Sequence, residues 1–251
     1  MILPLFHHWK KFGLNYMTSV FKIHDAVLKV SYEAQSIVPT MPVIRSENKL
    51  LSELVLCILS SQEKYEVALS MMKELRKLNV LRVPKNKTEF REIKSLLKLT
   101  LQNPVEYKSN EKIYSRRLRF FVKKAQYITD TIENIYLNDL TIREILGQEE
   151  CIQETRKNII NYSYGLGPKQ ASMFLRNIGY HTEFAVLDKH VIHYMKLIGL
   201  TTVSETSFSN ISAYQKMEMK LKSYAENFDL NLLHLDLAIW TTMRTLKYIH
   251  E

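Results

Sequence analysis

Near the middle of the chain, Lys169 and Asp188 have types and a spacing that could do chemistry. Lys169 follows Gly165-Leu166-Gly167-Pro168. An unprotonated lysine amine is a nucleophile for an electrophilic carbon. The first turn of a helix disfavours a cation, and partial burial adds to that, so such a site favours the free amine. A lysine there also serves as a solvated side chain or a phosphate contact. Asp188 stands 19 residues further on, after the apolar run Phe184-Ala185-Val186-Leu187, where an aspartate caps a helix. One helix of about three turns and a return loop fill that interval, which can bring the carboxylate back beside the amine.

The elements that must position these groups are two helices joined by a tight turn. An amphipathic helix ends at Gly165, whose missing Cβ permits a left-handed turn. Leu166 is the apolar residue of the turn and is expected to pack under it. Gly167 allows close backbone approach, and Pro168 suits the first position of the next helix. The N-terminus of that helix offers N–H groups to a phosphate. Together these make a helix-hairpin-helix signature.

Apolar spacing of three and four predicts helices over about 47–60 and on to about Leu78, then near 88–99 after a break at Pro84. A loop at Asn103-Pro104 precedes a long helix over about 111–135. Further helices are expected at about 141–147, 149–163, from the hairpin to Asn177, from Asp188 to near Gly199, and over 211–227 and 231–248. Residues 36–46, with Pro39 and Pro42, read as a linker, and 201–210 as a Ser/Thr-rich loop. No alternating strand pattern stands out, so the fold class is all-α. Six glycines and six prolines in 251 residues agree with that.

The formal charge of +9, from 35 Lys and Arg against 26 Asp and Glu, suggests a polyanionic partner, either nucleic acid or an anionic membrane surface. No run is apolar enough to span a bilayer, and the first residues lack a basic n-region and a small-residue cleavage site. Basic residues concentrate over 73–98 and 108–124, the latter interleaved with Tyr114, Phe120 and Phe121. Two cysteines, Cys57 and Cys151, make no disulfide framework, which fits a reducing compartment. His7 and His8 read as an exposed pair. His190 and His193 have no cysteine near them, so neither metal nor cofactor is expected.

The segment GLGPKQASMFLRNIGY…FAVLDKHV resembles the helix-hairpin-helix DNA glycosylase superfamily, most closely the type-2 8-oxoguanine DNA glycosylase/AP lyases. LVLCILSSQ, LRFFVKKAQYI and LDLAIW extend the likeness over roughly residues 46–247. The resemblance implies two helical subdomains flanking a DNA-binding cleft: 46–187, carrying Lys169, and 1–45 plus 188–251. It implies Lys169 as nucleophile on C1′ of a flipped-out nucleotide, with Asp188 stabilising the oxocarbenium character. Gly165, Leu166, Gly167 and His190 would hold the DNA backbone, with Arg119 and Lys123 as further contacts. Gln62 would fill the gap left by the base, and Trp240 would wall its pocket. The partner would be double-stranded DNA with a damaged base, bound by a nucleoid-associated cytoplasmic monomer. Ser60-Ser61-Gln62 is closer to endonuclease III, whose iron–sulfur cysteines have no counterpart, and the chain continues past Trp240 through Met243, Arg244 and Lys247. Two other readings stay open: a glycosylase for a different modified base, and a non-catalytic helix-hairpin-helix DNA-binding protein.

Overall fold

The computed structural model describes residues 14–37, 43–109, 111–148, 151–202 and 210–250. His7, His8, Pro39, Pro42 and most of the Ser/Thr-rich stretch lie outside the described residues. The chain divides into two compact units, 42–178 and 1–41 with 179–251.

In the 42–178 unit, α2 (Glu47–Ser60) is buried on nearly every side from Leu50 to Leu59, as befits a helix apolar all round. Around it pack α3 (Tyr65–Lys77), α5 (Phe121–Tyr136), α6 (Ile142–Gly147) and α8 (Pro168–Asn177). The unit also holds α4 (Lys87–Leu101) and α7 (Ile152–Tyr162), which lie against α5 and α8 respectively.

The helix expected over 111–135 is the one element that needs correcting. Residues Pro104–Ser109 (β1) and Lys112–Arg117 (β2) form an antiparallel hairpin, and α5 begins only at Phe121. Val105 and Tyr107 are buried on one face of β1, which packs on α3. On that same face Arg116 reaches the buried Glu63 carboxylate at 3.3 Å. Lysine and arginine are good helix formers, but these contacts and the cross-strand ladder outweigh local preference.

The second unit is built from α1 (Leu14–Ile37), α9 (Lys189–Leu197), α10 (Ile211–Glu226) and α11 (Leu232–His250). Val27, Val191, Tyr194, Met195, Leu221, Leu235 and Ile239 form its core. His24 Nδ1 there meets the hydroxyls of Tyr194 at 2.8 Å and Tyr224 at 3.0 Å. Burial lowers the His24 pKa against the opposing effect of Asp25.

Candidate active site

The hairpin between α7 and α8 is bolted to one stripe of α5. Asn134 Nδ2 donates to the Tyr162 carbonyl at 3.1 Å, and Thr131 Oγ1 accepts from the Tyr164 amide at 2.8 Å. The Tyr127 ring covers Gly165. Tyr127, Thr131 and Asn134 are spaced four and three apart, so they share a face. Gly165 has φ +75°, and a Cβ there would stand 2.3 Å from Tyr127 Cδ2. Both the turn and its neighbour therefore require glycine.

Leu166 is buried under the turn, as its apolar character predicts. Gly167 differs from Gly165. Its φ of −100° suits any residue, and a Cβ would meet only Gln170 Oε1, at an ordinary 3.7 Å, among the described residues. The protein itself makes little use of that missing Cβ. Pro168 occupies the first turn of α8. The fully buried Arg156 of α7 donates to Ser172 Oγ at 2.8 Å, and Ser172 donates to the Pro168 carbonyl at 2.8 Å, tying the two helices together.

Lys169 sits in the first turn of α8 and is half-buried. Burial pushes the Cys57 thiol of α2 well above its ordinary pKa; Glu53 raises it further, and the positive charges of Arg176 and Lys169 oppose this.

The corner between α2 and α3 is fixed by Lys124, expected only as part of the basic run over 108–124, and by Glu63, for which no role is expected from the sequence. Lys124 is 4% exposed and donates through Nζ to the Leu59 carbonyl at 2.7 Å. Burial lowers its pKa to about 8 against the opposing pull of Glu63. Glu63 accepts from the Lys64 amide at 2.9 Å and the Arg119 amide at 2.7 Å. Between them Gln62 is exposed, with φ +52°. The expected contacts thus fall into two groups here: Arg119 beside Gln62 through Glu63, and Lys123 beside Gly165 through the Tyr127 ring, 5.6 Å below its Nζ.

Asp188, His190 and Trp240 belong to the other unit. Asp188 caps α9, with Oδ1 accepting from the His190 and Val191 amides at 2.8 and 2.9 Å. The apolar run before it is held by side chains. Glu218 accepts from the Ala185 amide at 3.0 Å and Asp236 from the Val186 amide at 2.6 Å. Tyr214 Oη accepts from the Leu187 amide at 3.0 Å and donates to the Ala185 carbonyl at 2.7 Å. All three are buried, and a buried amide left unpaired is costly. Trp240 is half-buried, with the Arg244 guanidinium 4.7 Å over its ring.

The hairpin and its supporting helices define a helix-hairpin-helix protein. Residues 40–230 match the Ogg-HhH family model, described as 8-oxoguanine DNA glycosylase, and the chain belongs to that family. It is 37% identical over 128 residues to an 8-oxoguanine DNA glycosylase/AP lyase of Saccharolobus solfataricus, covering 50% of this chain and 59% of that one. A Sulfurisphaera tokodaii protein of the same name is 32% identical over 195 residues, covering 77% and 81%. The match to the Saccharolobus solfataricus relative thus spans well under two thirds of that relative's length. A solved structure of Methanocaldococcus jannaschii 8-oxoguanine DNA glycosylase superposes with a TM-score of 0.60 at 24% identity, over 90% of this chain and 94% of that one. The Methanocaldococcus jannaschii glycosylase/lyase bound to a 15mer DNA containing 8-oxoguanine gives 0.58 at 22%, over 96% of each chain. At those identities the likeness is one of fold. Among the described residues, no helix is long and apolar enough to cross a membrane.

Proposed function

We propose that the chain is a bifunctional DNA glycosylase/AP lyase of base excision repair, with Lys169 as nucleophile and Asp188 as its carboxylate partner. The observation that carries this reading is the hairpin. Its first glycine is demanded by the fold, its second is left open, and a half-buried lysine follows in the first helical turn. An open glycine at a helix N-terminus suits close approach of a DNA phosphate. A nucleotide flipped from the duplex would present C1′ to the amine. The Lys169 nitrogen bonds to C1′ as the C1′–base bond breaks, and the base leaves with the electron pair and gains a proton. Loss of an amine proton and opening of the sugar ring give the iminium. Loss of a C2′ proton then expels the 3′ phosphate, cutting the strand. Asp188 stabilises positive charge at C1′. The Saccharolobus solfataricus and Sulfurisphaera tokodaii relatives carry the name 8-oxoguanine DNA glycosylase/AP lyase, which favours that base as the substrate. His190 serves as a further backbone contact, Gln62 as the gap filler and Trp240 as the pocket wall. The protein works as a cytoplasmic, nucleoid-associated monomer.

The test is borohydride trapping on duplexes bearing 8-oxoguanine, uracil or an abasic site. A covalent adduct is expected with 8-oxoguanine and abasic DNA, and none with Lys169→Gln. Trapping on abasic DNA alone would keep the chemistry and remove 8-oxoguanine as the substrate. No adduct with any duplex would leave a non-catalytic DNA-binding protein.

A further inference from the structure

The β1–β2 hairpin is a second charged element, set apart in sequence from the helix-hairpin-helix. From Pro104 to Arg119 it carries five cations, Lys108, Lys112, Arg116, Arg117 and Arg119, against Glu106 and Glu111. Cross-strand partners share a face, and the register sorts the side chains. Val105 with Arg116 and Tyr107 with Tyr114 lie on the face packed toward α3. Lys108 with Ile113 and Pro104 with Arg117 lie on the opposite face, and all four are exposed.

The outer face and the turn carry exposed groups that make no ion pair among the described residues. Ile113 is 72% exposed on the outer face. Lys108 and Arg117 there have no carboxylate partner among the described residues; nor does the exposed Lys112 at the turn, which pairs with Ser109 and so shares the face of Arg116, itself paired with Glu63. Arg117 is held over the Phe121 ring at 5.3 Å, which orients the guanidinium without neutralising it. The base of the hairpin is also rigidly placed. Glu63 takes Arg116 and the Arg119 amide, and lies next to Gln62 at the α2–α3 corner. The outward cations therefore continue from the corner that carries Gln62.

We infer that the β1–β2 hairpin is a phosphate-gripping arm for duplex DNA, contacting the backbone through Lys108, Lys112 and Arg117 beyond the helix-hairpin-helix site. A two-stranded ribbon with unpaired cations and an exposed isoleucine beside its turn suits the charge of a DNA backbone along a groove. Phosphate contacts position the protein without reading sequence, so the arm adds affinity and register for any flanking sequence. This rests on the DNA-acting reading above, but not on its lysine chemistry.

The experiment is the salt dependence of binding to an undamaged duplex by Lys108→Ala/Lys112→Ala/Arg117→Ala, beside borohydride trapping of the wild type on abasic DNA. Each lost phosphate contact lowers the slope of log K against log salt by about 0.9. The triple variant should lose about two to three in slope magnitude. A charge-preserving triple, Lys108→Arg/Lys112→Arg/Arg117→Lys, should keep the wild-type slope. A triple of the same charge change on α4, Lys87→Ala/Arg91→Ala/Lys98→Ala, controls for net charge and should lose much less. An unchanged slope in the hairpin triple, or equal losses in the two alanine triples, overturns the arm, even if the wild type traps abasic DNA. A lowered slope in the hairpin triple alone supports the arm, even if trapping fails and the lysine reading falls.

Discussion

Tyr127 lies against Gly165 so closely that one added carbon would stand 2.3 Å from its Cδ2. The tyrosine belongs to α5 and the glycine to the hairpin, so this contact, with Thr131 and Asn134, sets where α8 begins. Gly165→Ala meets two penalties, the left-handed φ of +75° and the ring. A loss of about 1–3 kcal/mol is expected from thermal unfolding. Tyr127→Ala alone loses the ring packing. The double variant should be less destabilised than the sum, because the clash is gone. Additive effects within about 0.5 kcal/mol would mean that the ring does not constrain the hairpin.

Lys124 offers a pH test of the α2–α3 corner. Its folded pKa of about 8 lies below the ordinary lysine value of 10.5. Above 10.5 both states are neutral, and the full contribution is present. As pH falls toward 8 the unfolded chain takes up a proton that the folded protein resists, and the contribution is lost. Denaturant unfolding should therefore show the wild type gaining stability, relative to Lys124→Met, between about pH 8 and 10.5. A difference flat across that range would show that the buried amine is not perturbed.

Much of this architecture is legible in the sequence, because the helices of the 42–178 unit are amphipathic or wholly apolar and end at proline, glycine or polar corners. The boundaries of α2, α4, α6 and α8 fall within two residues of those the spacing predicts. The hairpin is not legible locally. β1 alternates only through Val105 and Tyr107, while β2 shows solvent nearly everything it carries, so Lys112-Ile113-Tyr114-Ser115-Arg116-Arg117 has no buried face to reveal its period. Its strand character comes from β1 and from Glu63, which lies 53 residues before Arg116. The buried Lys124, Glu218 and Asp236 are equally opaque, since such residues are rarely buried unless paired and their partners here are backbone groups distant in sequence. Tyr127-x-x-x-Thr131-x-x-Asn134 could have been found as a polar stripe on α5, though not what it touches.

His24 should make the second unit sensitive to acid. Its folded pKa is lowered by burial among Tyr194, Tyr224 and Phe228. Stability from this group is present above the ordinary histidine value of 6.5, and falls as pH drops below it because the unfolded chain protonates first. His24→Phe should flatten the melting temperature against pH between about 7 and 5 relative to the wild type. An identical acid limb in both proteins would assign the sensitivity elsewhere.

The Val186 amide depends on Asp236, whose Oδ2 accepts its hydrogen at 2.6 Å inside the second unit. Asp236→Asn keeps an acceptor oxygen and should cost less than Asp236→Leu, which leaves the amide unpaired and should cost about 1–3 kcal/mol or more. Because Val186 lies two residues before Asp188, the leucine variant should also slow trapping on abasic DNA. Chemical denaturation and the trapping rate, measured on the same preparations, separate the two effects. Equal stability of both variants would remove Asp236 as a support of this segment.

Asp188 combines a structural duty with a proposed chemical one, and the two can be separated. As an N-cap it accepts from the His190 and Val191 amides, a duty that asparagine performs about as well. Asp188→Asn should therefore keep stability within about 0.5 kcal/mol, whereas Asp188→Ala should lose about 1 kcal/mol with the cap. The chemical duty needs a negative charge at C1′, which asparagine lacks. On the proposed mechanism, Asp188→Asn slows borohydride trapping and base release about 100-fold or more, with duplex affinity retained. The stability comparison comes from thermal unfolding, and the rate from single-turnover cleavage. If Asp188→Asn traps at the wild-type rate, Asp188 is only a cap, and the partner of Lys169 must be sought on another element.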